Sequence, residues 1–300
     1  MESVGISKVL LIVNPVAGKR RSRSGLFDIV EQLCHYGCTA TVQTTGGRGD
    51  ATATVRRLAP EYDMVICCGG DGTLSEVVTG LIQSGADIPI GYVPAGSTND
   101  MANNLKLPRR IREAAQTVLT GSAAGHDVGL FDGGRYFSYV ASFGAFTKVS
   151  YATPQWLKNR FGHFAYILDG IRSVGDLRPY RAKVEAEGEG SFEGEYLFGS
   201  VTNSTSIAGV IKLRENEVSL HDGKFEVLLV RNPKNPDDLR RILYGVTHRK
   251  YDETHVRFFH TDHITFQFDE DIAWTLDGEY APGGRRSEIR VLPSAVKIIR

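Results

Sequence analysis

Cys67-Cys68-Gly69-Gly70-Asp71-Gly72-Thr73-Leu74-Ser75-Glu76 is the stretch whose reading decides the fold. The apolar run Met64 to Cys68 reads as a buried strand, and it stops at three glycines bracketing one carboxylate. Thr73 then opens the helical pattern Leu74, Val77, Val78, Leu81, so the predicted unit is strand, glycine turn, helix. The glycines permit positive φ and a close approach of the backbone to a ligand. Such a turn offers N–H groups and the positive end of a helix dipole to a phosphate, and Asp71 has the chemistry for Mg²⁺ or a ribose hydroxyl. The plainer alternative is an ordinary tight turn, as most isolated Gly-Gly or Asp-Gly pairs are. The glycines here coincide with a carboxylate and a strand-to-helix junction, which favours the phosphate site.

Two familiar phosphate motifs do not fit. Gly18-Lys19 resembles the end of a Walker A loop, but Arg20 stands where Ser or Thr is needed and Val13 where the first glycine is needed. Gly70-Asp71-Gly72 begins a dinucleotide fingerprint, but Ser75 occupies its third glycine position. Lys+Arg of 35 against Asp+Glu of 35 leaves no global field for nucleic acid, so any membrane attraction must come from local patches. No apolar run approaches the roughly 18 residues of a membrane span, and Glu2 argues against a signal peptide. Cys34, Cys38, Cys67 and Cys68 are expected as reduced, small apolar residues, which suits a cytoplasm; no C-x-x-C pair points to zinc.

Outward from the turn, the pattern alternates. Lys8 to Val13 and Thr39 to Gln43 read as strands, Leu26 to Cys34 and Asp50 to Leu58 as helices. Ile88 to Val93 repeats the design and ends in Pro94-Ala95-Gly96-Ser97-Thr98-Asn99-Asp100. This spacing predicts a doubly wound α/β domain, in which ligands sit beyond the carboxyl ends of the strands, where Asn14, Gly70 to Thr73 and Gly96 to Ser97 fall. Past about residue 128 the pattern changes. Arg135 to Ser142 reads as a strand and Pro154 to Val174 as one long helix carrying Trp156, Phe164 and Tyr166. Arg181 to Ala186, Phe192 to Phe198, Glu226 to Val230, His263 to Phe268 and Ile289 to Leu292 are short strands, with Glu185 to Gly190 a hairpin turn. That is the signature of a mostly antiparallel β-domain.

Asn14-Pro15 with Gly18, the glycine turn, Pro94 to Asp100, His126-Asp127-Val128-Gly129 and Leu276-Asp277-Gly278-Glu279 together resemble the diacylglycerol kinase catalytic-domain family, and in particular its soluble bacterial members. The likeness spans nearly the whole chain, including Val149 to Pro154 and Gly162 to Tyr166. NAD kinases and phosphofructokinases carry similar glycine turns; the later motifs separate them. The resemblance implies ATP in a cleft between an α/β domain, residues 1–128 with 288–300 returning to it, and a β-sandwich domain, residues 129–287. It implies nucleotide contacts at Asn14, Pro15, Val16, Ala17, Gly18, Thr45, Gly69, Gly70, Asp71, Gly72, Thr73, Leu74, Ser75, Glu76 and Ser97, the last a departure from threonine that keeps the hydroxyl. It also implies Glu279 as general base, Asp71, Asp100 and Asp127 as organisers of Mg²⁺ and phosphates, and Asp222 as a Mg²⁺ ligand with the Ser219 and Lys224 carbonyls.

Read without the resemblance, Glu279 is an exposed turn glutamate, Asp100 an N-cap, Asp127 a cap and Asp222-Gly223 a hairpin turn. With it, the chemistry expected is ATP- and Mg²⁺-dependent conversion of diacylglycerol to phosphatidic acid. Rival acceptors are a sphingoid base, phosphatidylglycerol or NAD, and the non-enzyme alternative is a nucleotide-sensing regulator. Lys19, Arg20, Arg21 and Arg23, with Arg109-Arg110, Lys158 and Arg160, are either solvated charges or a face that docks on anionic lipid at the inner side of the cell membrane. An exposed strand edge in the second domain has the means to pair two chains.

Overall fold

Four short apolar runs in the first 95 residues settle into parallel strands because each is bounded by Gly, Pro, Asn or Asp and is followed by a helical period. A computed structural model describes residues 6–144, 178–207 and 211–300. The chain forms two units, Met1–Val128 with Pro293–Arg300, and Gly129–Leu292, so residues 288–292 belong to the second. The expected helix Pro154 to Val174, the 149–154 and 162–166 motifs, Lys158 and Arg160 lie outside the described residues.

In the first unit the order is β1 (Lys8–Val13), α1 (Ala17–Ser24), α2 (Leu26–His35), β2 (Thr39–Thr44), α3 (Asp50–Leu58), β3 (Met64–Gly69), α4 (Asp71–Ser84), β4 (Pro89–Pro94), α5 (Asp100–Asn104), α6 (Ile111–Thr120) and the start of β5 (Ala123–Phe131). The sheet runs β2-β1-β3-β4, all parallel, and Lys297 and Ile298 extend it by pairing with Pro89 and Ile90. Val9, Leu11, Val13, Ile66, Cys68 and Val93 share a core with Ile29 and Leu33 of α2 and Ala115 and Val118 of α6. Their alternates Leu10, Ile12, Val65, Cys67 and Tyr92 are equally buried. Strand side chains alternate between faces, so both faces of this sheet are covered, with α3 packed on α4 and α4 on β3 and β4. This is the doubly wound arrangement expected.

The second unit contains the end of β5, then β6 (Arg135–Phe137), β7 (Val140–Gly144), β8 (Tyr180–Ala186), β9 (Gly190–Thr202), β10 (Ser206–Ile207), β11 (Ile211–Lys212), β12 (Phe225–Arg231), α7 (Pro236–His248), β13 (Val256–Thr261), β14 (His263–Phe268), β15 (Ala273–Leu276), β16 (Glu279–Pro282) and most of β17 (Arg286–Ile299). Strand β9 pairs through its first half with β8 and through its second with β7, so one strand serves two layers. Between those layers, Phe143 of β7 and Trp274 of β15 meet Phe266 of β14 edge to face, with ring centroids 5.5 Å and 5.3 Å away. Such pairs contribute roughly 0.5–1.5 kcal/mol each beyond the area they bury. The antiparallel sandwich is thereby closed over an aromatic core.

Among the elements that differ from the sequence reading, two show their cause. The single strand expected over Arg135 to Ser142 is broken at Ser138-Tyr139, because the amides there turn toward the Asp277 carboxylate and not toward a neighbouring strand. Helix α7 was not anticipated, although Asn235-Pro236-Asp237-Asp238 is a start signal: Asn235 Oδ1 accepts from both Asp237 and Asp238 N–H, and Pro236 sits in the first turn.

Candidate active site

Three loops of the first unit leave the sheet at the carboxyl ends of β1, β3 and β4, and glycine lets them touch. A Cβ on Gly18 would lie 2.0 Å from the Ala95 carbonyl oxygen, and one on Gly96 would lie 2.6 Å from Gly70 Cα. Asn14 ties the first loop to the second. Its Nδ2 donates to Thr73 Oγ1 at 3.1 Å, its backbone N–H donates to the Cys68 carbonyl, and its own Oδ1 accepts from Val16 N–H. Ser22 Oγ closes the first loop by donating to the Asn14 carbonyl. Pro15 and Ala17 are half-buried within it, and Val16 is exposed.

The glycine turn is tighter than expected. Helix α4 begins at Asp71, two residues before Thr73, and Gly70 is its N-cap. Gly70 has φ −96°, and neither Gly69 nor Gly72 lies at positive φ. These glycines serve close approach, not left-handed backbone: a Cβ on Gly69 would meet Thr73 Cβ at 2.6 Å. Gly70 has no side chain to cap α4, so the first-turn amides around Gly72 and Thr73 are offered to an anion by a helix of 14 residues. Leu74 and the side of Thr73 are buried, and Ser75 is half-buried.

The carboxylates of this region are engaged with backbone. Asp71 Oδ2 accepts from Asp100 N–H at 3.0 Å and Oδ1 from Met101 N–H at 3.1 Å, so Asp71 holds the start of α5. Burial pushes its carboxyl up, against the amides of Met101 and Asp100 that favour the ionised form. Glu76 spans to α3, with Oε1 accepting from Gly49 N–H at 2.8 Å and Oε2 from Ala51 N–H at 3.1 Å. Asp127 is fully buried on β5, and its Oδ1 accepts from Ser294 N–H at 2.6 Å. Asp100 is half-buried at the first position of α5, Ser97 is exposed, and Thr45 donates its N–H to the Val13 carbonyl. Asn99 was not singled out by the sequence reading. It is buried at φ 54°, and its Nδ2 donates to Gly96 O at 3.0 Å, shaping the loop that faces Gly70.

In the second unit, Leu276 and Glu279 face each other across a two-residue turn, Asp277-Gly278, with φ of 48° and 85°. That is the mirror-image hairpin turn, which Asp-Gly favours. Glu279 is exposed as the first residue of β16. Asp222-Gly223 is not a hairpin turn: β12 ladders with β9 and β13, and the turn enters it from a loop. Asp222 is exposed and its Oδ1 accepts from Lys224 N–H at 3.1 Å; Ser219 is half-buried. Among the described residues no three His, Cys, Asp or Glu side chains cluster to hold a metal. Asp222 itself offers an exposed carboxylate, one oxygen of which accepts the Lys224 N–H, and carboxylate oxygen is the donor type that a hard cation keeping several waters prefers.

Comparison with known proteins agrees with this layout. The diacylglycerol kinase catalytic domain matches residues 8–131. Diacylglycerol kinase of Bacillus subtilis is 31% identical over 277 residues, covering 92% of this chain and 90% of that protein. Diacylglycerol kinase of Staphylococcus aureus (strain MRSA252) is 32% identical over 279 residues, covering 92% and 86%. Among solved structures, a putative diacylglycerol kinase from Bacillus anthracis superposes with a TM-score of 0.80 at 25% identity, over 100% of this chain and 97% of that one. An NAD kinase from Archaeoglobus fulgidus in complex with ATP shares the fold alone, with a TM-score of 0.51 at 11% identity over 98% and 93%. No helix among the described residues is long and apolar enough to cross a membrane.

Proposed function

The chain belongs to the diacylglycerol kinase family and is a lipid kinase of that family, and from this premise we propose that it moves the γ-phosphate of ATP to diacylglycerol, giving phosphatidic acid. The observation that carries the nucleotide half of this reading is the contact of the loops after β1, β3 and β4, with the uncapped start of α4 among them. Phosphoryl transfer asks a protein mainly to position phosphates and neutralise charge. In this reading Asn14 to Gly18, Gly69 to Ser75, Ser97 and Thr45 contact ATP, the α4 amides bind its phosphates, and Asp71 fixes α5 so that Asp100 is presented at a set place. Glu279 accepts the proton of the lipid hydroxyl as the new P–O bond forms. Asp100 and Asp127 are the proposed acidic groups near the nucleotide metal, and Asp222 with the Ser219 and Lys224 carbonyls is the proposed second holder of Mg²⁺. Bound Mg²⁺ supplies charge neutralisation at the phosphates and, at Asp222, a cross-link within the loop ahead of β12.

Diacylglycerol stays in the bilayer, so the reading includes peripheral docking at the anionic cytoplasmic surface. Lys19, Arg20, Arg21 and Arg23 lie on α1, and each basic residue near such a surface contributes about 1 kcal/mol. Val16, 74% exposed, precedes that helix, and Phe27, 84% exposed, follows it. The test is phosphate incorporation from labelled ATP into diacylglycerol in mixed micelles containing anionic lipid, with sphingosine, phosphatidylglycerol and NAD as parallel acceptors and Glu279→Gln alongside. Labelling of diacylglycerol that falls by a factor of about 10²–10⁴ in the variant is expected for a lost base. Preferential labelling of another acceptor removes the substrate assignment, and undiminished labelling in Glu279→Gln removes the base.

A further inference from the structure

Asp277 is 5% exposed, yet it stands two residues before the exposed Glu279, with half-buried Gly278 between them. Its carboxylate accepts three consecutive backbone N–H groups, Ser138 at 2.6 Å on Oδ2, and Tyr139 at 2.9 Å and Val140 at 3.1 Å on Oδ1. Its own N–H donates to the Val140 carbonyl at 2.8 Å. Two of those amides, of Ser138 and Tyr139, form the break between β6 and β7, and the third, of Val140, opens β7, so the end of the ladder is pointed at this one side chain. Charge-assisted bonds from a run of amides are short, directional and about twice as strong as neutral ones.

The need for such an anchor follows from the topology. Strand β16 ladders with β15 and, among the described residues, with no other strand. A two-residue turn leading to an edge strand is a place where fraying is cheap. Strand β15 is itself fixed by pairing Leu276 with Ala141 of β7, and Asp277 continues that attachment one residue further, through its side chain and into the turn. From this we propose that Asp277 is a positioning residue for Glu279: its carboxylate locks the turn so that the next exposed side chain, that of Glu279, is delivered at a fixed place for proton transfer. Asp277 does not take the substrate proton itself, because three amides surround its oxygens. The inference rests on the reading of Glu279 as the base.

The test is a mutant cycle with Asp277→Asn and Asp277→Gly, each alone and on Glu279→Gln. Both replacements tolerate the positive φ at this position, so the turn keeps its backbone while losing the carboxylate. Turnover per folded enzyme is read with labelled ATP and diacylglycerol micelles, over long incubation for the Glu279→Gln background; folded fraction comes from thermal melts. A catalytic group displaced by the order of 1 Å loses about 100-fold, so kcat should fall by about 10- to 100-fold in the otherwise wild-type chain, with KM for ATP within about twofold. On Glu279→Gln the same changes should lower residual turnover by less than about twofold, because the group being positioned is gone. A general structural role predicts the same factor in both backgrounds, or KM for ATP and kcat failing together, and either result overturns the proposal. Full turnover in folded Asp277→Gly overturns it as well. If Glu279→Gln alone keeps wild-type kcat, the base assignment fails first, and that outcome is distinct from the others.

Discussion

Gly96→Ala places one methyl group where the loops after β3 and β4 meet. Its Cβ would sit 2.6 Å from Gly70 Cα and 2.7 Å from Asn99 Oδ1, whereas carbon atoms in ordinary contact stand about 3.5–4.0 Å apart. Gly70 Cα is backbone, and Asn99 Oδ1 ends a buried side chain held by its own Nδ2 bond to Gly96 O, so the two loops must separate by about 1 Å, an overpacking that costs on the order of 1–3 kcal/mol. Gly70 is the N-cap of α4, so the displacement moves the first-turn amides relative to Ser97 and the Asn14 loop. A shift of that size in phosphate-binding groups should raise KM for ATP by about tenfold or lower kcat by up to about 100-fold. The control is Gly85→Ala at the other end of the same helix, with φ 71° and no atom within 4 Å of its Cβ. It carries left-handed strain of roughly 1–2 kcal/mol and no loop collision. Steady-state kinetics and thermal melts on both variants should show similar losses of stability and a kinetic defect in Gly96→Ala alone. Wild-type KM and kcat in folded Gly96→Ala would refute the assignment of these loops to the nucleotide.

Three further outcomes follow from individual side chains. Glu76→Ala removes the acceptor for the Gly49 and Ala51 amides at the start of α3, which should cost about 1 kcal/mol in urea unfolding while KM for ATP stays within about twofold; a KM rise like that of Gly96→Ala would return Glu76 to the nucleotide. Cys34 is exposed, burial pushes Cys68 up to about 12 and Cys67 well above its ordinary value, and Cys38 is also raised by burial. Mass spectrometry after iodoacetamide at mild alkaline pH should therefore show one adduct in the native protein and four in denaturant, and rapid native labelling of Cys67 or Cys68 would contradict the buried strand. Asp63, held down by the Lys8 and Ser7 amides, and Glu288, held down by Arg290, contribute stability that is present above the unfolded carboxylate range near pH 4 and is lost as pH falls through their lower folded values. Asp71 and Asp132, raised by burial, work the other way and gain as pH approaches that range from above, so chemical denaturation should show little loss down to about pH 5 and a steep loss below about pH 4; a steady decline starting above pH 6 would be inconsistent with these shifts.

The strands of the first unit were legible almost to the residue because short apolar runs between glycines and prolines leave few other ways to bury both faces. Lys8–Val13 and Asp50–Leu58 fall on their expected bounds, and His263–Phe268 does so in the second unit. What was not legible depends on partners distant in sequence. The break at Ser138 needs Asp277, 139 residues away, to draw its amide out of the ladder. The extension of β17 to fourteen residues, where only Ile289 to Leu292 reads as a strand, needs β14 for its first part and β4 for its last. The carboxylate of Glu76 looks like part of a phosphate turn until α3 is seen to present two amides to it.

Three Asp-Gly dipeptides show where local reading ends. Asp71-Gly72 is the first turn of a helix, Asp277-Gly278 a mirror-image hairpin turn, and Asp222-Gly223 a loop turn with Gly223 at φ 77°. The pair supplies a small acceptor and a permissive backbone, and the flanking pattern decides which geometry results. Before Asp71 stands a buried strand and after it a helical period; around Asp277 stand two short alternating strands, which only the two-residue turn can join antiparallel. In all three the carboxylate accepts backbone amides, of Asp100 and Met101, of Ser138 to Val140, and of Lys224. An aspartate in such a motif is therefore weak evidence for chemistry at its own oxygens and stronger evidence for chemistry beside it. By that argument the groups that the proposed function should be tested on are the ones these turns present, the α4 amides after Asp71 and the exposed Glu279 after Asp277, and the aspartates set where those groups stand.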